Sequence, residues 1–141
     1  MKYLRKFESI ESKSTSEIHD NLEIFFSDFL YESYVDEWHI VYRYTDTWYT
    51  QELLDMYEPN YDVNKITNVC IEILFSGDIN YREIKLNLLR YIKAKANRLK
   101  SIGFTYSSVT DNDYYTYPDG TKTFGDSIGI YLHHNIGWAT M

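Results

Sequence analysis

Cysteine, proline and glycine are the scarce residues of this 141-residue chain, with one, two and six copies respectively. The single cysteine, Cys70, excludes an intramolecular disulfide framework. Its place in the apolar run "ITNVCIEILF" marks it as a small buried thiol. So little proline and glycine excludes collagen-like and linker-rich chains. No apolar stretch approaches the ~20 residues a membrane-spanning helix needs. The opening "MKYLRKFESIESKS" has basic residues but neither an apolar h-region nor a small-residue cleavage site. Together these absences imply a soluble protein of a reducing compartment, with no signal-peptide secretion and no membrane among its partners.

What the chain does have is apolar and aromatic surface: 44% hydrophobic residues, 18% aromatic, and fifteen tyrosines. That is ample for one core, and no linker or repeat divides the sequence. A single domain over 1–141 is therefore expected, with 1–13 and 135–141 as candidate mobile ends. Ser14 and Glu17 form a capping-box pattern. Behind them Ile18, Leu22, Phe25, Phe26 and Phe29 recur at spacings of three and four, which predicts a helix over about 15–33. "EWHIVYRYT" alternates Trp38, Ile40, Tyr42 and Tyr44 against His39, Val41, Arg43 and Thr45 and reads as a strand whose aromatic face joins the core, with a stacking platform for bases as the alternative. Residues 46–64 fit either two helical turns or an irregular excursion. Val69, Ile71, Ile73 and Phe75 line one side of the strongest strand, and Gly77-Asp78 closes it.

A second helix is predicted over about 80–101, with Ile84, Leu88, Ile92, Ala96 and Leu99 inward and Gly103 as its stop. "FTYSSVT" is a strand, Asp111-Asn112-Asp113 a turn, "YYTYPDGTKTF" a hairpin around Pro118-Asp119-Gly120, and "SIGIYLHH" the last strand. The fold class that accommodates this order is α+β: a mainly antiparallel sheet of four to five strands with two helices packed on one face. Val69, Ile71, Ile73, Phe75, Leu88, Ile92, Phe25 and Phe29 are the expected core.

Charge is distributed unevenly. The net charge is −7, yet "REIKLNLLRYIKAKANRLK" holds seven of the 14 Lys and Arg with one acid, leaving a balance of −13 elsewhere. Arg82, Lys85, Arg90, Lys93 and Lys100 are candidate anion- or partner-binding residues on that helix. A solvated face balanced by the acidic remainder is the competing reading. Seven acids fall within 17–37, and Glu17, Asp20, Glu23 and Asp28 form a candidate acidic surface. A protein partner or self-association, giving a homo-oligomer, fits this charge balance better than nucleic acid. The acids of the first helix are expected beside the basic helix or on a second copy.

Motifs that carry chemistry are missing. There is no P-loop, no GxSxG and no paired HxT or HxS. His133 and His134 are neighbours on a strand and point to opposite faces, and the acids at 111 and 113 lack the spacing of a calcium loop. No cofactor, metal or catalytic residue is expected. The enzymatic alternative, a metal-dependent nuclease or phosphoesterase, would have to bring Asp111, Asp113 and His133 into one cleft.

The start "MKYLRKFES" and the helix end "LKSIGFTYS", within a helix-strand-strand-helix-strand order, resemble small proteins of large contractile-tailed bacteriophages, many of them marine. The same start is similar to the capsid-targeting peptides of internal head proteins in such phages, which are cut after a hydrophobic-x-Glu site. Here Ser9 stands at the hydrophobic position of Ser9-Ile10-Glu11. The resemblance implies a phage protein, located in the host cytoplasm or the virion. It carries no activity over; joined to the missing catalytic motifs, it makes the expectation a non-enzymatic protein that binds another macromolecule as a virion component or accessory factor. An inhibitor of host defence, acting through an acidic surface that mimics nucleic acid, is the alternative in the binding class.

Overall fold

The computed structural model describes residues 15–76 and 79–139. The segment expected over residues 1–13, the Ser14 half of the capping box and the Gly77-Asp78 turn lie outside the described residues. The fold is α+β. Helices α1 (Ser16–Phe25) and α2 (Ser27–Leu30) lead into strands β1 (Val35–Tyr44) and β2 (Thr47–Thr50), and α3 (Gln51–Tyr57) follows. After a short 3-10 turn come β3 (Ile66–Phe75), α4 (Tyr81–Ala94), α5 (Ala96–Ser101), β4 (Phe104–Thr116), β5 (Lys122–His134) and α6 (Asn135–Ala139). The five strands form one sheet in the order β2-β1-β3-β5-β4, with every neighbouring pair antiparallel.

Each of the two expected long helices is broken once, and the breaks decide what is buried. α1 ends at Phe26 (φ −99°, ψ 15°), whose carbonyl accepts the amides of Phe29 and Leu30. The break moves the apolar stripe by one residue, so Phe26 and Leu30 are buried while Phe29 stays half-buried against Tyr91. Phe29 was expected in the core; it packs on the core instead. The basic helix breaks at Lys95, and Ala96, expected inward, is exposed there while Leu99 is buried. The other expected core residues are buried.

Between Tyr44 and Thr47 the chain reverses through Thr45 and Asp46, both at positive φ, the two-residue hairpin geometry that matches strand twist. A β-branched Thr in that region is strained. Arg43 reaches Asp46 at 3.2 Å across the turn. After only four residues β2 gives way to α3, because the Thr50 hydroxyl accepts the Leu53 amide and caps the helix. Residues 46–64 thus contain an edge strand, a helix and a 3-10 turn.

The stretch Asp111–Asp113, expected as a turn, lies inside β4. "FTYSSVT" and the first arm of the hairpin are one thirteen-residue strand, carrying register shifts at Tyr106/Ser108 and Asn112/Tyr114. Such bulges bend a strand and raise its twist. The bent hairpin, turning at Pro118–Gly120 with Gly120 at φ 92°, curls back over the sheet face opposite α1, α2 and α4. In a flat sheet β4 and β1, three strands apart, would be ~14 Å from each other. Yet the Tyr115 hydroxyl hydrogen-bonds His39 Nδ1.

The two faces of the sheet are therefore covered differently. One is the apolar core: Ile40, Tyr42, Val69, Ile71, Ile73, Ile130 and Leu132 against Leu22, Phe25, Phe26, Leu88 and Ile92. The aromatic face of β1 belongs to this core, with Tyr42 only 1% exposed. The other face holds Cys70, Leu74 and Tyr115 among polar groups. The tail packs through α6, where a Cβ added at Gly137 would come within 1.8 Å of the Ile66 carbonyl oxygen.

Candidate functional site

Because β2 pairs only with Val41–Tyr44, β1 has no strand neighbour among the described residues beside Glu37–Ile40 on that side. A groove opens there. On the helix-covered side it widens into a cavity of about 630 Å³, walled by the first turns of α1, by β1, by the start of α3 and by Pro118 from the hairpin. Among the described residues its charged lining is Asp20, Glu52 and Asp55, with no Lys or Arg. Trp38, Tyr42 and Tyr61 supply its aromatic surface. On the other side of β1 lies a cavity of about 360 Å³, lined by Val41, Leu53, Trp48, Tyr131 and Glu72 among others. The two cavities share His39, Thr50 and Pro118.

The walls are fixed by specific contacts. Tyr61 accepts the Thr15 amide at 3.2 Å, which ties the start of α1 to the loop after α3. Gln51 donates to Asp55 at 2.8 Å. His19 stacks on Trp38 with ring centroids 5.4 Å apart, and Tyr31 meets the same indole edge-on at 6.3 Å. Trp38 is thus held between two side chains and presents its remaining surface to the cavity. Burial pushes the Tyr42 phenol well above its usual range; a hydrogen bond from Thr15 opposes the rise, and the negative charges of Asp20 and Asp55 add to it. The same two carboxylates thus act electrostatically on the cavity floor.

Behind the groove a polar cluster joins β1, β3 and β4. His39 Nε2 lies 3.0 Å from Glu72 Oε1, and Nδ1 meets Tyr115. Burial raises the Tyr115 phenol strongly, and the charge of Glu37 raises it further. Burial likewise raises the Cys70 thiol. Both groups are kept protonated at neutral pH and neither is an activated nucleophile. One oxygen of Glu37 and the Thr110 hydroxyl are buried without a hydrogen-bond partner among the described residues.

The sequence-predicted residues are placed as follows. Lys85 pairs with Asp111 at 2.9 Å. Arg82, Arg90, Lys93 and Lys100 are exposed and make no ion pair among the described residues. Helices α1–α2 and α4 do lie side by side, through Tyr91 against Phe25 and Phe29, and Tyr91 donates to the Phe25 carbonyl at 2.7 Å. The contact is aromatic, with no ion pair between these helices among the described residues. Of the acidic candidates, Asp20 lines the larger cavity, while Glu23 accepts from Tyr31 and lies 3.6 Å from His19. Glu17 lines a separate cavity with Val63 and Phe104, and Asp28 is exposed on α2. The break at Phe26 separates Asp28 from the other three.

Asp111 and His133 do not meet: His133 hydrogen-bonds Asn68 and packs on Trp138, five residues along β5 from Ile128, the register partner of Asp111. Among the described residues, the one group of three candidate metal ligands is His19, Asp20 and Glu23. Glu23 there is already engaged by Tyr31. Glu52, Asp55, His39, Glu72 and Tyr115 were missed by sequence reasoning. For His39 and Glu72 a signal existed, since each is a polar side chain opposite the apolar face of a predicted strand. No protein-family model matches the chain, and no curated protein matches it.

Proposed function

We propose that this is a non-enzymatic bacteriophage protein that binds another macromolecule, as a virion component or accessory factor, and that the groove beside Glu37–Ile40 is its recognition surface. The observation that carries the reading is the groove itself: a backbone edge without a strand neighbour among the described residues, flanked by a cavity of about 630 Å³ with three carboxylates and three aromatic rings. Such a combination offers shape, charge and exposed strand edge, which are the features of a binding site. The protonated Tyr115 and Cys70 and the separation of Asp111 from His133 supply no catalytic constellation. The phage origin rests on the resemblance of the two sequence segments named above.

A photo-crosslinking residue placed at Glu52 is expected to yield a discrete macromolecular adduct in infected host cells, lost when Trp38 is changed to Ala. The same residue at Lys93 should give none. Proteomics of purified virions then separates the virion component from the accessory factor. Robust turnover of nucleotides or nucleic acid, abolished by one change at Asp111, Asp113 or His133, would overturn the binding role.

A further inference from the structure

Resting on that binding role, the geometry points to one class of partner: an extended polypeptide segment that pairs with the free edge of β1 and places a Lys or Arg side chain in the acidic aromatic cavity. Three observations converge on it. The first is the backbone. In an antiparallel ladder, successive residues direct their N–H and C=O to alternate sides, so two of the four residues Glu37–Ile40 point away from β3. No turn, loop or cap hydrogen bond among the described residues uses the backbone of these four. A strand added there completes them, which is the physics of strand addition to a sheet edge.

The second observation is the pair of cavities. Side chains of an added strand alternate between the two faces of the sheet. The groove offers one cavity on each face, about 630 Å³ toward the helices and about 360 Å³ toward the hairpin, meeting at His39, Thr50 and Pro118. One residue of the segment would fill the first and its neighbour the second. Val41, Leu53, Trp48 and Tyr131 make the second suited to an apolar side chain.

The third is charge. Among the described residues, Asp20, Glu52 and Asp55 line the larger cavity without any Lys or Arg, beside Trp38, whose ring contacts His19 and Tyr31. A carboxylate next to an aromatic face suits a guanidinium or ammonium through charge-assisted hydrogen bonds and cation–π attraction. Phosphate or an acidic side chain is repelled there.

The test uses the full chain and three pools of blocked nonapeptides, with neutral residues randomised around a fixed central Arg, citrulline or Glu. Calorimetric titration should show the Arg pool binding, the citrulline pool about tenfold weaker or worse, and the Glu pool not at all. Asp20→Asn and Asp55→Asn, both at exposed positions that leave the fold intact, should each weaken the Arg pool severalfold and flatten its salt dependence. In the best peptide, N-methylation should abolish binding at alternate backbone amides only. Equal binding of Arg and citrulline pools, or indifference to N-methylation at every amide, overturns the inference. So does binding that appears only when Lys2, Arg5 and Lys6 are changed to Ala, which would assign the groove to the chain's own first residues. A crosslinked adduct at Glu52 without Arg-pool binding keeps the binding role and rejects the cationic strand. Absence of both rejects the role itself.

Discussion

The basic face of α4–α5 and the acidic groove beside β1 carry opposite charge, but they differ more in shape than in sign. Arg82, Arg90, Lys93 and Lys100 stand on a convex helix surface, each exposed and without an ion partner among the described residues. Such charges remain hydrated and interact weakly with anything nearby. Asp20, Glu52 and Asp55 are fewer and also solvent-exposed, yet they converge on a concavity walled by Trp38, Tyr42 and Tyr61. There three like charges and three aromatic rings can meet one partner side chain at once. The abundance of charge on a segment is thus a poor guide to recognition; convergence on a concave surface is a better one.

The sharpest way to break the comparison is to remove a wall of the groove from within. Leu54 is fully buried and anchors α3 to the core. Leu54→Ala should cost about 2–5 kcal/mol in urea unfolding. A change below about 1 kcal/mol would mean that α3 is loosely docked and the groove has no fixed wall.

Next in size is the latch of the hairpin tip. Tyr115→Phe leaves the ring but removes the hydroxyl that meets His39, and should cost about 1–3 kcal/mol while leaving α4–α5 unaffected in hydrogen exchange. The phenols of Tyr42 and Tyr115 are raised in the folded state. Their contribution is complete below the unfolded tyrosine value of about 10 and is lost as pH rises above it. Loss of stability should therefore begin near that pH, and Tyr115→Phe should make its slope against pH shallower. An unchanged slope would separate the latch from the alkaline transition.

A smaller effect is expected at low pH. His134 is buried, its Nδ1 lying 2.7 Å from the Ile66 carbonyl, and burial lowers its pKa against the opposing effect of that hydrogen bond. The stability tied to the neutral ring is present above the unfolded histidine value of about 6.5. It is lost as pH falls from there toward the folded pKa, because the unfolded chain binds the proton first. His134→Phe should flatten that part of the stability-against-pH curve, measured by denaturant titration between neutral and mildly acid pH. An unaltered slope would reassign the acid sensitivity to carboxylates.

The smallest effect belongs to the basic face. Changing Arg90 and Lys93 together to Gln should alter stability by no more than about 0.5 kcal/mol and should leave Arg-pool binding at the groove unchanged. Light scattering at low and high salt should show the same mass for this variant and the parent chain. A salt-sensitive oligomer that disappears in the variant would make the basic face the dominant interaction surface and reverse the comparison drawn above.

Sequence pattern alone located the strand cores at Val69–Phe75 and Ile128–Leu132, the Pro118–Gly120 reversal and the Gly103 helix stop. Alternation, periodicity and positive-φ glycines are local properties that any packing must respect. It also determined that Cys70 and the Trp38–Tyr44 face turn inward. The helix breaks at Phe26 and Lys95 were not legible, because a continuous apolar stripe fits a straight helix equally well until a sheet of fixed twist has to be covered. Nor was the continuity of β4 legible, since Asp111-Asn112-Asp113 has turn chemistry that a bulged strand pair overrides. The sequence marked Asp20, Trp38 and Tyr42 singly, but their convergence on one site was decided by tertiary structure. Asp20, Glu52 and Asp55 come from two helices that no local signal pairs, and the free edge of β1 exists only because Thr50 caps α3 and ends β2 after four residues. Tyr115 reaches His39 because two bulges curl a hairpin across three strands. A site built from long-range juxtaposition has no periodicity of its own, and only the folded chain brings its parts together.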